Sequence, residues 1–453
     1  MHSTVFRVAV VGAGPAGLYA AEALLTQRDV PVRVDLIDRL PVPYGLVRYG
    51  VAPDHPTIKS VVSTLSEILL APELRFIGGV DVGSSVTRDE LRACYDAVVY
   101  AIGAAGDRRL GIDGEDLPGS LSATDFVSWY NGHPDARNLG LTATSVAVIG
   151  AGNVALDIAR LLTSPYDRLA PTDIPTFVLP AFASSPVRDV YLIARRGPEH
   201  TRFSSKELRE LDQVPGVARH VDAHALEHLD GIEVERRTAV NLDLFQSWSA
   251  PVAEHHAAGR HLHMRFWERP VEILGTDRVE GVRLERVGAP DEANLAATVT
   301  LPVQMIVRAI GYRSLGIPGV PFDESAAVIP NEAGRVVDEQ GKPVPGEYVA
   351  GWAKRGPSGV IGTNKACARE TVAGLLADCR AGTVSAAEWR PSLSAGLRDR
   401  RVTATDLAGW MAIDREEIQR GAAEGRARSK VADWPTLIEL AGAARVSSSD
   451  GRE

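Results

Sequence analysis

Apolar and polar positions follow one another in blocks that predict strands and helices in alternation. The chain opens with an apolar run at residues 7–11, a glycine-rich turn, an Ala- and Leu-rich stretch at 15–26, and a second apolar run at 32–37. Short apolar runs predict buried strands, and the longer stretch between them predicts a helix. The opening therefore predicts a β-α-β unit.

The same pattern occurs again from Ser145. Residues 146–149 form an apolar run before a second glycine turn, an apolar helix is predicted from Val154 toward Leu162, and residues 190–194 supply the next strand. The stretch 164–186 between them is rich in Pro, Ser and Ala. We interpret it as a surface insertion in a second β-α-β unit.

Two further apolar runs, 97–103 and 305–311, each end at a glycine. They are typical of buried parallel strands and mark the predicted crossings between the two units. After about residue 385 the chain shows amphipathic helical patches at 385–397, 416–426 and 435–440, and a polar tail from Ser447. This C-terminal extension shows no recognisable chemistry, and we expect its end to fray.

Length and composition restrict the class of protein. With 453 residues the chain is too long for one hydrophobic core, and 45% hydrophobic with 24% charged residues is typical of a globular protein. No apolar run approaches the roughly 18 residues of a membrane span, and no signal peptide is expected before the first strand. The net charge of −9 argues against nucleic acid as a partner.

The cysteines exclude several kinds of redox site. Cys94, Cys367 and Cys379 are scattered, with no Cys-x-x-Cys pair and no metal-ligand spacing. A disulfide framework and a protein-bound iron–sulfur cluster are therefore not expected, and a cytoplasmic location is predicted. The absence of a redox pair also argues against a disulfide reductase, and the absence of a cysteine cluster argues against a glutamate synthase small subunit.

The first glycine turn has the spacing of a dinucleotide site. Gly12, Gly14 and Gly17 form a GxGxxG motif between a predicted strand and a predicted helix. Such glycines permit a tight turn, backbone approach to a pyrophosphate, and close packing of helix on strand. Asp38 ends the second strand at about the 20-residue spacing expected for a carboxylate that binds a ribose hydroxyl.

The second glycine turn is followed by the opposite charge. Gly150 and Gly152 belong to a GxGxxA motif, and the strand after its helix ends in Arg195 and Arg196. Two guanidinium groups favour a 2′-phosphate where a carboxylate would repel it. The pattern indicates FAD at the first turn and NADP at the second, although paired arginines at the start of a loop can equally be solvated surface charge.

Two long strings carry a resemblance to a known family. The first is PYGLVRYGVAPDH at 43–55, and the second is GWAKRGPSGVIGTN at 351–364. Together with the glycine motifs they resemble the adrenodoxin reductase family of NADPH–ferredoxin reductases over most of residues 5–380. The resemblance predicts an α/β protein with two Rossmann-type dinucleotide-binding domains, in which an NADP domain is inserted in a discontinuous FAD domain.

The resemblance also implies a set of cofactor-binding residues. For FAD these are Ala16, Asp38, Leu46, Val82, Trp352, Gly359, Val360 and Ile361. For NADP they are Gly152, Asn153, Val154, Arg195, Arg196 and Glu207, with Gly359 near the nicotinamide and Arg108 as a weaker candidate. The family often has Glu where this chain has Asp38, and a shorter carboxylate can still reach a ribose.

Two polar residues are the candidate catalytic groups. By resemblance, His55 and Asp157 lie nearest the flavin and handle a proton or orient water. Both can equally be structural, with His55 ending a turn and Asp157 packing beside a loop. Transfer of a hydride needs no protein acid or base, so their replacement would slow turnover without abolishing it.

These features predict an FAD-dependent reductase that takes a hydride from NADPH and passes single electrons to a ferredoxin-type protein, which would feed a haem monooxygenase. Ferredoxins are generally acidic, so Arg209, Arg236 and Arg237 are candidate docking residues, although we interpret them first as ordinary solvated charges. The alternatives are a flavin-dependent monooxygenase and a non-catalytic NADPH sensor. We expect a monomer with an FAD domain at 1–106 and 308–453 and an NADP domain at 107–307.

Overall fold

A computed structural model of the chain describes residues 5–227, 229, 233–250, 259–287 and 298–449, with side chains as far as residue 442. Within these ranges the backbone forms eighteen strands. In chain order they are β1 Phe6–Val11, β2 Val32–Ile37, β3 Leu74–Ile77, β4 Ala97–Tyr100, β5 Gly106–Asp107, β6 Ser120–Ser122, β7 Ser145–Ile149, β8 Asp189–Ile193, β9 Val217–Val221, β10 Arg260–Arg265, β11 Glu268–Leu274, β12 Gly281–Arg286, β13 Thr298–Leu301, β14 Met305–Arg308, β15 Tyr312–Arg313, β16 Asn331–Glu332, β17 Arg335–Val337 and β18 Pro343–Val349.

The same part of the chain contains seventeen α-helices and one 3₁₀ turn at Pro198–His200. The helices are α1 Pro15–Thr26, α2 Leu46–Tyr49, α3 Pro56–Lys59, α4 Val62–Leu69, α5 Arg88–Cys94, α6 Ala123–Asn131, α7 Asn153–Thr163, α8 Tyr166–Leu169, α9 Leu179–Ala183, α10 Ser205–Asp212, α11 His224–Glu227, α12 Arg236–Trp248, α13 Trp352–Arg355, α14 Thr363–Ala381, α15 Leu393–Asp399, α16 Leu407–Ala423 and α17 Trp434–Ser449.

Most strands belong to two large sheets. The first has the order β16-β17-β18-β4-β1-β2-β3, in which β18, β4, β1, β2 and β3 are parallel and β16 and β17 form an antiparallel edge. The second has the order β6-β14-β7-β8-β10-β9, and every neighbouring pair is parallel. Buried Val, Ile, Leu and Ala fill the strands of both sheets, as parallel sheets covered on two faces require.

The second sheet is inserted between β4 and β18 of the first. The chain passes between the two units through β5 and β15, which pair as an antiparallel ribbon of two residues each. The predicted fold class, with one Rossmann-type unit inserted in another, is therefore confirmed. The division at residues 106/107 and 307/308 stays a prediction, and it falls close to these two crossings.

Two predicted strands are shorter than their apolar runs. The run at 97–103 forms a strand only over Ala97–Tyr100, and the run at 305–311 only over Met305–Arg308. The remaining residues lead into turns, where Gly103 and Gly311 adopt φ values of +68° and +122°. Glycine permits these angles at no steric cost, so each strand ends before its glycine.

The stretch 164–186 is not a surface insertion, and that prediction is wrong. Leu169, Ile174, Val178 and Phe182 are all buried, and they belong to the main core of the second unit. Proline and serine are abundant here because the segment consists of the short helices α8 and α9 joined by turns. Its composition reflects those turns, whereas its apolar side chains face inward.

The C-terminal helices also differ from the predicted patches. Helix α15 begins only at Leu393, two residues after Pro391, while α16 extends from Leu407, where the Asp406 side chain caps the helix by accepting from the Gly409 amide. Helix α17 covers the third patch and continues to Ser449, past the predicted start of the tail. Trp410, Ile413 and Leu437 are buried in the core of the first unit, so the extension is part of the fold.

A buried ion pair attaches α16 to the first unit. The Glu417 carboxylate is fully enclosed and accepts from Arg48 at 2.9 Å, from Arg428 at 2.8 Å and from the Val431 amide at 2.9 Å. Arg48 itself lies on α2, far away in sequence. Because each charge is compensated, removal of one partner would leave the others buried without compensation.

We predict that Glu417→Gln lowers the free energy of unfolding by about 3–5 kcal/mol, because two arginines lose their shared counter-ion in a buried site. Glu416→Gln is the matched control on the same helix, since Glu416 forms a partly exposed pair with Arg420 and should lose at most about 0.5 kcal/mol. Urea unfolding followed by tryptophan fluorescence measures both. Equal shifts in the two variants would contradict the role of Glu417.

Candidate dinucleotide sites

The first glycine turn allows backbone to pack directly on backbone. Gly12 adopts φ +109°, and a Cβ there would lie 2.4 Å from the carbonyl oxygen of Ala101 at the end of β4. A Cβ on Gly17 would lie 1.8 Å from the carbonyl oxygen of Gly12. Neither position has room for a side chain, so the tight turn requires glycine at residue 12 and the close packing of helix on strand requires glycine at residue 17.

The start of α1 offers free amides toward this turn. The first helical hydrogen bond runs from the Leu18 amide to the Gly14 carbonyl at 3.0 Å. The amides of Ala16 and Gly17 precede it and have no partner within the helix, so with the helix dipole they favour an anion. The turn therefore fits a pyrophosphate.

Asp38 lies at the end of β2 and holds the glycine turn in place. Its carboxylate accepts from the Ala13 amide at 2.6 Å and from the Leu40 amide at 2.8 Å. Burial raises the pKa of Asp38, while these two bonds act in the opposite direction. Each carboxylate oxygen can accept a second bond, so contact with a ribose hydroxyl stays a prediction.

The first family string lies on the glycine turn. The Tyr44 amide donates to the Ala13 carbonyl at 2.9 Å, and a Cβ on Gly45 would lie 3.1 Å from the Cα of Gly14. Leu46 follows directly as the first residue of α2. Val82 is buried in a turn after β3 that bridges to Val86. Contacts of Leu46 and Val82 with FAD stay predictions.

The second family string returns to the same place. Gly351 has φ +75°, and a Cβ there would lie 2.5 Å from the Cβ of Ala16. Trp352 begins α13, its indole nitrogen donates to the Ser358 carbonyl at 3.2 Å, and Gly359 has φ +81°. Val360 is 72% exposed, and with Ile361 it leads into the long helix α14. This string thus packs on the start of α1, as the predicted architecture requires.

The second glycine turn repeats the first in the inserted unit. Gly150 has φ +143°, and a Cβ there would lie 2.2 Å from the carbonyl oxygen of Ala309. A Cβ on Gly152 would meet no atom within 4 Å, so the turn is open above this residue. The first helical bond of α7 runs from Ala155 to Gly152, which leaves the amides of Asn153 and Val154 without helical partners. This turn also fits a pyrophosphate.

Glu207 is held close to the second turn. The Asn153 side chain accepts from the Ser204 amide at 2.9 Å, and Ser204 caps α10 by accepting from the Glu207 amide at 3.2 Å. The Oε2 atom of Glu207 is buried without a hydrogen-bond partner, and burial raises its pKa. An unpartnered buried acceptor fits a ligand with N–H or O–H groups.

Arg195 and Arg196 follow β8 and are both exposed. The parallel pairing of β7 with β8 ends at Ile149 and Ile193, so Gly150 and the two arginines leave the sheet at the same edge. Contact of their guanidinium groups with a 2′-phosphate stays a prediction. Arg108 is also exposed, and its amide donates to Gly311 at the crossing between the units, so its contact with NADP stays a prediction.

A network of buried charges joins the two units around both candidate catalytic residues. The Arg160 guanidinium donates to both oxygens of Asp54 at 2.7 and 2.8 Å and lies 2.9 Å from Asp157. The Nε2 atom of His55 lies 2.7 Å from Glu210 at an angle outside hydrogen-bond geometry, so this contact is electrostatic. The predicted His55 and Asp157 are thus connected through Asp54 and Arg160.

Burial determines the charge states in this network. It raises the pKa of Asp157 to about 7, although the Arg160 charge acts to lower it. Burial also lowers the pKa of His55, and Arg160 lowers it further. Burial raises the pKa of Tyr130 most, and the nearby Asp157 charge raises it further, so the phenol stays protonated. The proton-handling role of Asp157 stays a prediction, and its raised pKa is compatible with it.

Several of these groups lack hydrogen-bond partners. They are the Tyr130 hydroxyl and single polar atoms of His55, Asp157, Arg160, Glu207 and Glu210. The His55 and Glu210 atoms face each other, as do those of Asp157 and Arg160, so only the Tyr130 hydroxyl and the Glu207 oxygen lack such a neighbour. Beside the network, a cavity of about 780 Å³ extends from His55, Arg160 and Glu210 to Trp410, Arg428 and Lys430 of the C-terminal extension. This cavity leaves room for a bound group next to the charged residues.

Glu210, Arg160 and Asp54 are the site residues that the sequence analysis missed. Asp157 and Arg160 are three residues apart on α7, and Glu207 and Glu210 are three residues apart on α10. This spacing places both members of a pair on one side of a helix and was a usable signal. Asp54 belongs to the first family string, directly before His55.

Two negative findings apply to the residues that the structure describes. No helix among them is long and apolar enough to cross a membrane. No group of three or more His, Cys, Asp or Glu side chains in that part of the chain has an arrangement that could hold a metal ion. Cys94 and Cys367 are buried and Cys379 half-buried, and all three are free thiols.

Two glycine turns on two parallel sheets, followed by a carboxylate in one case and by two arginines in the other, define a reductase of the class that binds two dinucleotides. Residues 6–211 match the model of the pyridine nucleotide-disulphide oxidoreductase family. A probable ferredoxin/ferredoxin–NADP reductase of Mycobacterium leprae is 42% identical over 96% of this chain and 78% of its own. The mitochondrial NADPH:adrenodoxin oxidoreductase of Arabidopsis thaliana is 38% identical over 97% of this chain and 96% of its own.

The fold is also similar to a solved structure with a nucleotide bound. FprA of Mycobacterium tuberculosis in complex with NADPH has a TM-score of 0.88 and 38% sequence identity, over 96% of this chain and 99% of that one. The chain belongs to the adrenodoxin reductase-like family of FAD-dependent NADPH–ferredoxin reductases. It is an NADPH-dependent flavoprotein oxidoreductase, and its cofactors are FAD and NADP.

We predict that Arg195→Ala with Arg196→Ala raises KM for NADPH at least about a hundredfold and leaves KM for NADH nearly unchanged, because each of two charged hydrogen bonds to a 2′-phosphate contributes about 1.5–3 kcal/mol. Steady-state reduction of ferricyanide with each nucleotide measures the change. Arg188→Ala is the control, since Arg188 is exposed directly before β8, at the other end of the same strand. An unchanged NADPH preference would show that the two arginines are solvated surface charge.

Proposed function

We propose that the protein takes a hydride from NADPH at its second unit and delivers single electrons from its first unit to an acidic ferredoxin-type iron–sulfur protein. The observation that supports this most strongly is the change of charge between the two sites. Asp38 follows the strand after the first glycine turn, whereas Arg195 and Arg196 follow the strand after the second. One site thus favours a free ribose and the other a 2′-phosphate.

Bound FAD supplies a carrier that accepts two electrons together and releases them one at a time. The chain would hold it with Gly12, Gly14, Ala16 and Gly17 at the pyrophosphate, and with Trp352 and residues 359–361 at the ring. It would hold NADP with Gly150, Gly152, Asn153 and Val154 at the pyrophosphate, and with Arg195, Arg196 and Glu207 at the sugars. The free amides at both glycine turns and the buried Oε2 atom of Glu207 support this assignment.

The charged network between the units would move the proton that accompanies the electrons. Asp157 is half-buried, and loss of solvent raises its pKa to about 7, so its carboxylate would accept a proton at the interface. Arg160 stabilises this carboxylate and connects it to Asp54, and His55 with Glu210 continues toward the cavity. We propose Asp157 as the group that holds the proton and His55 as its partner nearer to solvent.

We predict that oxidation of the reduced flavin by ferricyanide accelerates as pH rises through about 7, because only the ionised Asp157 carboxylate accepts a proton. In Asp157→Asn this dependence should disappear, and the rate above neutral pH should fall about tenfold. Stopped-flow measurement between pH 6 and 8 tests both points. An Asn variant with the pH profile of the unmodified protein would exclude Asp157 from proton transfer.

A basic surface on α10 and α12 is the proposed docking site. Arg209 is exposed on α10, next to Glu210 of the buried network. Arg236 and Arg237 are exposed at the start of α12, which packs against α10, and the Arg237 carbonyl accepts from Ser205 at 3.2 Å. Three exposed arginines are therefore carried by two neighbouring helices, although the net charge is −9. Such a surface would steer an acidic partner toward the interface between the units.

The function is tested with purified protein by its visible spectrum and by NADPH-dependent reduction of ferricyanide and of a ferredoxin coupled to cytochrome c. We predict a flavin spectrum and turnover of both acceptors. Arg209→Glu with Arg237→Glu should reduce ferredoxin turnover at least tenfold at low salt and leave ferricyanide turnover unchanged, because the small ion needs no docking surface. The control is Arg278→Glu, an exposed charge in the turn between β11 and β12.

Three outcomes would overturn the proposal. A colourless protein would exclude a flavoenzyme. NADPH oxidation that requires an organic substrate and oxygen would indicate a monooxygenase, and equal loss of ferricyanide turnover would place the arginines outside a docking surface. We extend the proposal, on family resemblance, to a ferredoxin that supplies a haem monooxygenase and to a monomeric, cytoplasmic enzyme.

A further inference from the structure

Lys430 is a buried lysine that contacts both units of the fold. It lies between α16 and α17 and is only 6% exposed. Its ammonium group donates to the Arg48 carbonyl at 3.2 Å in the first unit. It also donates to the carbonyl and the side-chain oxygen of Asn131, at the end of α6 in the second unit, each at 3.1 Å. One side chain thus joins the C-terminal extension to both units.

Asp173 provides the counter-charge at this junction. Its carboxylate lies 3.2 Å from Lys430 and accepts from Lys59 at 2.7 Å through both oxygens. Burial would raise the pKa of Asp173, but Lys430 and Lys59 outweigh it and hold the value at about 2. Burial lowers the pKa of Lys430 to about 7. The negative charge of Asp173 acts to raise this pKa, while the positive charges of Lys59 and Arg48 lower it further. The charged lysine is therefore held at a considerable cost.

Two further side chains of the same segment form hydrogen bonds to the second unit. Residues 426–434 are called the strap below. Within it, Arg426 donates to the Thr176 hydroxyl at 2.7 Å, and the Trp434 indole donates to Asp135 at 2.6 Å. Together with Lys430 these bonds fasten the second unit along one side of the junction.

Stability alone does not account for a lysine in this position. Replacement of a buried ionic group by an apolar side chain of similar volume is often neutral or stabilising. Loss of Lys430 would leave Asp173 paired with Lys59, so no isolated charge would remain. The specific effect of Lys430 is geometric, because it requires Arg48, Asn131 and Asp173 to lie around one nitrogen atom.

We infer that Lys430 is a positioning residue for the reaction, which sets how the second unit sits on the first and so how NADP meets FAD. The chain crosses between the units elsewhere, at β5 and β15, which pair over only two residues each. The contacts of Lys430 with Arg48, Asn131 and Asp173 would hold three chain segments together and so restrict the orientation of the second unit on the first. Misplacement of reacting groups by about 1 Å can slow a reaction a hundredfold. This inference depends on the proposed transfer from NADPH to FAD.

The test compares Lys430→Met with Lys342→Met, which removes an exposed lysine next to β18. Anaerobic stopped-flow absorbance measures the rate of flavin reduction by NADPH, and calorimetry measures binding of 2′,5′-ADP, which occupies only the 2′-phosphate end of the NADP site. We expect Lys430→Met to keep its flavin, its thermal midpoint and its affinity for 2′,5′-ADP within twofold. Flavin reduction should slow at least tenfold, and Lys342→Met should match the unmodified protein.

The outcomes separate this inference from the proposed function. If NADPH does not reduce the flavin of the unmodified protein, the proposed function fails. If NADPH reduces the flavin of the unmodified protein and that of Lys430→Met equally fast, the positioning role is refuted. Weaker binding of 2′,5′-ADP to Lys430→Met would also refute it, because the substitution would then have disturbed the NADP site itself. Should Lys430→Met not fold, Trp434→Phe removes one strap bond without a charge. It should slow flavin reduction by a smaller factor, and an unchanged rate would refute the inference.

Discussion

The orientation of the two units is the constraint on which the rest of the structure depends. Each unit carries a complete glycine turn on its own parallel sheet, yet the chain crosses between them only through β5 and β15. Two such short crossings leave the relative angle undetermined. Charged contacts at the junction restrict it, because Asp173 of the second unit contacts Lys59 of the first and Lys430 of the extension. The C-terminal extension, which carries no chemistry in its sequence, is thereby connected to the reaction.

Helix α7 links nucleotide binding to the same interface. Its amino end presents free amides above Gly152, while Asp157 and Arg160 lie within the next two turns. Arg160 then reaches across to Asp54, next to His55 in the first unit. A shift of α7 that accompanies NADP binding would therefore act directly on the groups proposed to carry the proton. In the proposed function, one helix therefore carries both the phosphate-binding amides and the groups that would hold the proton.

The sequence predicted those features that depend on local structure. The glycine turns were predictable because a Cβ at Gly12, Gly17 or Gly150 would overlap a backbone oxygen, which is a local requirement. The charges after β2 and β8 were predictable because parallel strands place them at one edge of a sheet. Arg160 and Glu210 escaped attention because their significance arises from partners more than 100 residues away. The segment 164–186 was misjudged because its abundant turn residues obscure five buried apolar side chains.

The unpartnered polar atoms indicate how the fold balances stability against function. They include single atoms of His55, Asp157, Arg160, Glu207 and Glu210, and all of these residues lie in the network between the units or on α10 beside it. His55 faces Glu210 at 2.7 Å and Asp157 faces Arg160 at 2.9 Å, so these four atoms have charged or polar neighbours although they form no hydrogen bond. The Oε2 atom of Glu207 has no hydrogen-bond partner, and in the proposed function a bound nucleotide would meet it. Across the cavity, Lys430 of the strap and Asp173 compensate one another.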